Sequence, residues 1–556
     1  MGEVRILGAD GLPLPPARPR TSALAGGGGR FGYGGTPYDA ASHHGQHMAE
    51  WSPYLWSPDG ELNQYRDRIV SRARDLVRND GWASGSVTRV LDNAIGANFR
   101  PISKPDHRFL ATHSGNAAFD AIWAKEFSSA LDAHWRSWSD DPGHYCDAAR
   151  NMTFGQMCRV AFRHELVDGD ALAVMQWIPA RLGLGRARYC TAVQLVDPDR
   201  LSNPYQVFDS QATRGGVEVD GYGAAIAYWI RKAHQGDWFN AAESQSWERV
   251  QRETRWGRPV VVHHFVGERA GQHRGGAGIF TPIMQRLKML VKYDETEVDA
   301  ALINAIFGAY IESPFDPSLV AQAMGEGAAL PDDDSLSGYQ AGRADFHRER
   351  RLSVNGAQIQ SLYPGEKMGV IAAARPAGNF ADFESAILRN VASGLGLSAQ
   401  QVSNNWSDVN YSSARAAMLE AWKTLSRRRH DFAAGFAAKV RMAVLEEVFD
   451  VEDLPMPSGQ VPEFLECAVA YARCKWLGPG KGAVDPKAEV EGSILKIAAG
   501  LSTYEIEVAE LMGEEYEDIF HQRAEEQEMV EKFKLPFTVG LPGAASQKAD
   551  EAAAKV

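Results

Sequence analysis

The feature that most limits how this chain can fold is a long helical pattern beginning at Ser412. Apolar residues recur at helical spacing through Met418, Trp422, Leu425, Phe432, Phe436, Val440, Val444 and Val448, about ten turns of helix. Ser412 or Ser413 can cap it by accepting a hydrogen bond from an orphan backbone N–H. Just upstream, VSNNWSDVNY is dominated by Ser, Asn and Asp and carries two aromatics. Further upstream, FESAILRNVASGLG reads as a second amphipathic helix that stops near Gly394 and Gly396. A loop rich in hydrogen-bonding groups is therefore held between two helices. On pattern alone it is an ordinary helix–helix connection.

The rest of the chain is mixed α+β. Its 556 residues imply roughly two to four folding units, because single cores rarely grow larger. Residues 1–50 are rich in Gly, Pro and small side chains and read as a flexible arm. QYRDRIVSRARDLVRND follows as a helix with five arginines on its solvent side and an apolar stripe of Ile69, Ala73, Leu76 and Val77. A second helix ends at Gly96, and a tryptophan-bearing helix and another at TFGQMCRVAFRHELV precede strand-like runs at ALAVMQWI, TAVQLV, AIAYWIRKA and PVVVHHF. TPIMQRLKMLVKYDETEVDAALINAI starts a long helix with Thr281 as N-cap and Pro282 at the first position. NGAQIQSLYPGEKMGVI resembles a short hairpin. Near the C-terminus, Asp485 caps a helix that Gly500 stops, and Ser502 with Glu505 forms a capping box.

Charge and cysteine content narrow the class. A net charge of -13 argues against a chain that grips a nucleic-acid backbone, but it is compatible with one that lets nucleic acid pass. The five cysteines (Cys146, Cys158, Cys190, Cys467 and Cys474) include no CxxC pair, so a reducing compartment is expected and a disulfide framework or zinc site is not. MGEVRILGADGLPLPPARPR lacks the apolar core of a secretion signal, and AALINAIFGAYI is too short to cross a bilayer. A soluble protein without a membrane segment is expected.

No catalytic constellation emerges. HELVD, His164 to Asp168, has Asp where the zinc-protease pattern needs its second His, and reads as a helix end. GPGKGA around Lys481 lacks the spacing and hydroxyl of a phosphate loop, and GGGGRFGYGG has no strand before it or helix after it. His43, His44 and His47 lie in the arm and read as incidental. His263 and His264 alternate on a strand, one inward and one outward. Asp332, Asp333 and Asp334 read as a solvated charge run. Neither a cofactor nor a metal site is expected, and no enzyme activity. The alternative is a soluble hydrolase with an unrecognised carboxylate-based site; a head–tail adaptor or scaffold protein is a third reading.

Several stretches in consistent order resemble the lambda-type phage portal protein family. They are SRARDLVRNDGWASGSVTRVLDNAIG, VDPDRL, GQHRGGAGIFTPIMQRLKMLVKYDETEVDAALINAIFGAYIES, LYPGEK and ASGLGLSAQQVSNNWSDVNYSSARAAMLEAWKTLSRRR, spread over roughly residues 50 to 535. HRGGAGI and GLSAQQVS depart from the commonest wording, which bears on local loop shape. The resemblance implies a portal fold and a homo-oligomeric ring, dodecameric in capsids, at one vertex of a bacteriophage virion. DNA is packaged through it by a terminase and later ejected, and the ring serves as head–tail connector.

Laid on this sequence, the resemblance implies an arm at 1–50, a wing at 51–280, a stem helix at 281–306 and a clip at 307–372. A second stem helix at 373–400, a tunnel loop at 401–411, a long wing helix at 412–455, a crown at 456–536 and a flexible tail at 537–556 follow. The tunnel loop would present Ser403, Asn404, Asn405, Trp406, Ser407, Asp408, Val409, Asn410 and Tyr411 to passing DNA. The stem would contribute Lys288, Lys292, Asp294, Glu295, Glu297 and Asp299 to contacts between subunits. Implied partners are further copies of the chain, the terminase large subunit, head-completion or tail connector proteins, and major capsid and scaffold proteins. Double-stranded DNA would pass without sequence specificity, and assembly would take place in the host cytoplasm.

Overall fold

The computed structural model describes residues 50–276, 278–306, 310–312, 345–346, 367–369, 380–407, 409–482 and 485–534. The arm up to residue 49, with His43, His44 and His47, lies outside the described residues, as do Asp332 to Asp334, most of 307–372, Asp408 and the tail from 535. The side chain of Tyr411 is likewise outside them. The chain divides into two compact units, Met1–Trp56 and Ser57–Val556. Residues 50–56 of the first form neither helix nor strand.

The second unit opens with two helices punctuated by short polar side chains. Ser57 caps Pro58–Asn79 by accepting from the Gly60 N–H at 3.2 Å, with Pro58 at a position whose N–H would have no partner anyway. Asp80 closes that helix and opens Gly81–Ala94, accepting from the Ala83 N–H at 2.9 Å. Val70 takes the core position expected of Ile69, beside Ala73, Leu76 and Val77. Of the five arginines expected in solvent, Arg68, Arg72 and Arg78 are exposed, but Arg66 is buried and Arg74 half-buried. The periodicity explains it: residues 66, 70, 73, 74 and 77 share one helical stripe, so the two arginines belong to the packed face.

The strands in chain order are β1 (Arg100–Ser103), β2 (Asp170–Trp177), β3 (Thr191–Val196), β4 (Thr213–Arg214), β5 (Val217–Val219), β6 (Ala225–Arg231), β7 (Trp247–Gln251), β8 (Val261–Phe265), β9 (Tyr310–Glu312), β10 (Lys367–Gly369) and β11 (Cys474–Leu477). The four expected strands are β2, β3, β6 and β8. An antiparallel sheet ordered β3-β2-β8 stacks on a second, ordered β4-β5-β6-β7. On one face of the first sheet, Ala171, Ala173, Met175, Val193 and Val262 join a large core shared with the helices. On the other, Leu172, Val174, Val196 and Val261 meet Val217, Val219, Tyr228 and Ile230. Period-two alternation therefore buries both faces. For the same reason His263 and His264 are both buried, where one was expected outside. His263 stands 3.3 Å from Asp170, and His264 3.2 Å from Glu165.

The long helix is one element with a fault in it. It runs Tyr411–Phe432, then a π turn at Ala433–Ala437, then Ala438–Val451. Its cap is Asn410, whose side chain accepts from the Ser413 N–H at 2.9 Å, so Ser412 and Ser413 sit inside the first turn. At the π turn Gly435 lies against His264: a Cβ there would stand 2.0 Å from Nδ1. Leu425, Phe432, Phe436, Val440, Val444 and Val448 are buried as expected, whereas Met418 and Trp422 are half-buried. The Arg429 guanidinium lies 5.1 Å from the Trp422 ring.

Two further departures concern element ends. The helix expected from Thr281 begins at Met284, and the Thr281 hydroxyl donates to the Gly278 carbonyl at 3.2 Å. Tyr504–Leu511 is capped by Thr503, which accepts from the Ile506 N–H at 3.3 Å, where Ser502 was expected. The hairpin expected over residues 355–371 lies outside the described residues except for β10, which pairs antiparallel with β9, Lys367 opposite Glu312. β11 pairs antiparallel with β1, and Phe464 and Tyr471 pack with Phe127 and Phe449, so residues 464–477 share the core of the mixed region.

Candidate functional site

The polar loop is built from short-range hydrogen bonds. Ser398 and Gln401 form a reciprocal capping box at the start of Ala399–Ser403, with bonds of 3.2 and 3.0 Å. Val402 is fully buried and anchors the loop's root. Asn404 ends the short helix in the left-handed region at φ 55, which asparagine tolerates better than most residues. The Ser403 hydroxyl accepts from the Asn405 N–H at 3.2 Å. The Asn405 side-chain oxygen accepts from the Ser407 N–H at 3.1 Å and from its hydroxyl at 2.7 Å. Residues 404–407 are exposed, Trp406 at 41%, and Val409 is half-buried with its N–H donating to the Trp406 carbonyl at 3.4 Å. Asn410 then starts the long helix. Between Ala399 and Ala414 the only formally charged residue is Asp408. The exposed surface offers neutral donors and acceptors that exchange partners readily, on a backbone held at both ends.

The two helices expected to flank it pack on each other. Tyr293 of Met284–Ile306 stacks on Phe380 of Phe380–Leu395 at 5.6 Å and meets Phe383 at 4.9 Å. Leu287, Leu290, Ile387, Leu388 and Val391 are buried. Gly396 takes φ 71 and lets the chain leave the second helix. Lys288, Lys292, Glu295 and Asp299 are exposed, while Asp294 is half-buried and Glu297 buried. Burial and the nearby Asp80 push the Asp294 carboxyl up, and burial and Asp294 do the same to Glu384. Asp294 thus faces other acids of its own chain, which spacing along one helix could not reveal.

A cluster that the sequence did not expose joins three stretches carrying the family resemblance. Asp170, fully buried, receives Arg274 at 2.7 Å, Arg66 at 3.0 Å and His263 at 3.3 Å. Burial opposes its ionisation, but the Arg274 and Arg66 charges outweigh that and hold the carboxyl well below the usual carboxylate range. Arg274 also donates to the carbonyls of Leu201, Gly215 and Pro198. Arg74 binds Asp168 at 2.8 Å, Asp197 at 3.0 Å and Asp199 at 2.8 Å, and His164 meets Asp168 at 2.6 Å. So SRARDL, VDPDRL and GQHRGG converge on one ion-pair network that staples the first helix to both sheets. HELVD is the helix end expected, closed by Gly169. Among the described residues Asp197, Asp199 and His234 have ligand atoms close enough for an ion, but Arg74 already occupies both carboxylates. A second tie comes from Arg429, whose guanidinium burial lowers to about 10 and which donates to the carbonyls of Ala94, Asn93 and Pro479.

Comparison with known proteins gives the class and then the family. A family model for the phage portal protein, lambda family, matches residues 44–429. The portal protein of Escherichia phage N15 is 30% identical over 501 residues, which cover 90% of this chain and 89% of that one. Portal protein B of Escherichia phage lambda is 30% identical over 489 residues, covering 88% and 89%. Among solved structures, the neck of an empty GTA particle aligns with a TM-score of 0.42 at 12% identity, over 83% of this chain and 96% of that chain. An HK97 family phage portal protein from Corynebacterium diphtheriae aligns with a TM-score of 0.26 at 12% identity, over 70% and 89%. The class is that of phage portal proteins, structural components rather than enzymes. Within it, the chain belongs to the lambda family. That answers the hydrolase alternative, whose scattered carboxylates here include Asp168, Asp170 and Asp197, all bound by arginine. No described helix is long and apolar enough to cross a membrane.

Proposed function

We infer that the chain forms the portal ring at one vertex of a phage head, through which double-stranded DNA is packaged and later ejected. The observation that carries this reading is lambda-family membership over residues 44–429, reaching through the loop into the long helix. In it, the mixed region from 51 to 280 is wing, Met284–Ile306 and Phe380–Leu395 are stem, 307–372 is clip and the C-terminal helices are crown. Residues 403–411 form the tunnel loop. Their support is local: an exposed rim of Asn and Ser, a single acid in Asp408, and bonds that hold the loop without docking it on the core. The chain's charge of -13 fits a channel past which a polyanion slides.

Subunits meet through heterologous contacts that close a ring. Lys288, Lys292, Glu295 and Asp299, exposed on the first stem helix, are the groups best placed to reach a neighbour; Asp294 and Glu297 face their own chain. The terminase large subunit, head-completion or tail connector proteins, and the major capsid and scaffold proteins are the expected partners, met during assembly in the host cytoplasm. Electron microscopy of the purified chain in negative stain tests the reading. Rings with a central hole are expected; a strictly monomeric species by light scattering, at every concentration and salt, overturns it.

A further inference from the structure

One cleft on the mixed region runs against the sign of the whole chain. It has a volume of about 620 Å³ and is lined by Arg136, Arg150, Arg186 and Arg188, with Asp140 and Asp141 among them. Arg188 grips both carboxylate oxygens of Glu452, at 2.6 and 2.5 Å, the fork-to-carboxylate geometry that guanidinium favours. The other three are held by backbone carbonyls. Arg136 donates to the Asp132 carbonyl at 3.3 Å, Arg186 to that of Ala180 at 3.2 Å, and Arg150 twice to that of Gly143, at 3.1 and 3.0 Å. Carbonyls fix the direction of these groups without neutralising them. Among the described residues, no carboxylate comes within the 4.0 Å of an ion pair with any of the three. Arg150 moreover sits at φ 57, an uncommon backbone state for a long side chain, with its guanidinium 4.2 Å from the Tyr145 ring centre.

The rim adds a second kind of contact. The turn after residue 181 is tied to itself: the Arg186 N–H donates to the Gly183 carbonyl at 3.0 Å and the Ala187 N–H to the Arg181 carbonyl at 3.2 Å. At its tip Leu184 is fully exposed, at 104%, and Leu182 is 42% exposed. An ordered turn thus holds an apolar side chain out beside three cations that outnumber the two acids lining the cleft.

We propose that this cleft docks an acidic polypeptide segment of another protein, its carboxylates on Arg136, Arg150 and Arg186 and an apolar side chain on Leu184. A polypeptide fits better than nucleic acid for two reasons. The exposed leucines offer nothing to a phosphate backbone, and Asp140 and Asp141 repel a continuous polyanion while leaving room for spaced carboxylates. The cleft is lined by residues of a single chain.

Fluorescence anisotropy with the full-length chain tests it, using a short labelled peptide of alternating Glu and Leu. A Lys–Leu peptide and a labelled DNA duplex serve as comparisons. The Glu–Leu peptide binds, and the pair Arg136→Ala with Arg186→Ala weakens it about tenfold or more, as loss of charge-assisted contacts requires. Leu184→Asp weakens it with an unchanged circular dichroism spectrum, and the exposed Arg72→Ala has no effect. Glu–Leu binding no tighter than Lys–Leu, an undiminished affinity in the double variant, or displacement of the peptide by the duplex each overturns the proposal.

Discussion

Gly435→Ala sets two physical effects against each other. In an exposed helix interior, replacing Gly by Ala stabilises by about 1 kcal/mol through backbone entropy. Here the new Cβ would lie 2.0 Å from His264 Nδ1 and 2.5 Å from Cε1, inside any tolerable contact. The imidazole has little room to retreat, with Glu165 3.2 Å from its Nε2 and the Phe432 ring centre 5.8 Å away. Overpacking of this kind costs typically 1–3 kcal/mol, so a net loss of up to about 2 kcal/mol is expected after the propensity gain. Denaturant unfolding of the purified chain reads it as a lower midpoint at unchanged slope. In a His264→Ala background the obstruction is gone, and Gly435→Ala should turn neutral or stabilising. The two substitutions are then coupled, with the sign reversing across the cycle. A Gly435→Ala chain at least as stable as the parent, or the same loss in both backgrounds, would refute the steric account of the π turn.

Other outcomes follow from the same structure. Replacing exposed Asn405 by alanine should change stability by no more than about 0.5 kcal/mol, while DNA retention in assembled heads falls. Phe432→Ala should cost about 3–5 kcal/mol and half-buried Trp422→Ala clearly less, read by the same denaturation assay. Asp170 has a depressed carboxyl pKa, so its contribution is full above the unfolded-state value of about 3.9 and is lost as pH falls through the lower folded value. Asp170→Asn should therefore destabilise most near neutrality and progressively less in acid. Asp294 has the opposite sign: its raised carboxyl makes ionisation unfavourable to folding, so Asp294→Asn should raise the melting temperature near neutral pH and lose that effect in acid. Purified protein should show no ATP hydrolysis beyond contaminant level.

Much of the architecture was legible because local chemistry and tertiary packing agree. Asp485 with Pro486, and Gly396, punctuate helices where their side chains or backbone freedom suit the ends. What stayed hidden depends on contacts between distant stretches. Arg66 and Arg74 look solvated until Asp168, Asp170, Asp197 and Asp199 arrive from the sheets; their shared stripe with Val70, Ala73 and Val77 was the available signal. The β1–β11 pair joins residues 100–103 to 474–477, and no local pattern announces a partner so far along the chain. The helix caps shifted by one or two residues because Asn410 and Thr503 compete with neighbouring serines for the same orphan N–H groups. For the loop, composition showed its polarity, but only the structure showed that Asn405 and Ser407 bond to each other, leaving the fold little dependent on either.

The β9–β10 clasp bears on how chains of this kind can diverge. It brings Lys367 opposite Glu312, so the segment between them leaves and returns through one doorway. Doubling the length of such a closed excursion costs only about 0.6 kcal/mol in closure entropy. Loop closure therefore sets little thermodynamic limit on how many residues join Glu312 to Lys367. The clasp thus relaxes the constraint on chain length between its two strands, while the residues packed in the shared core stay under theirs.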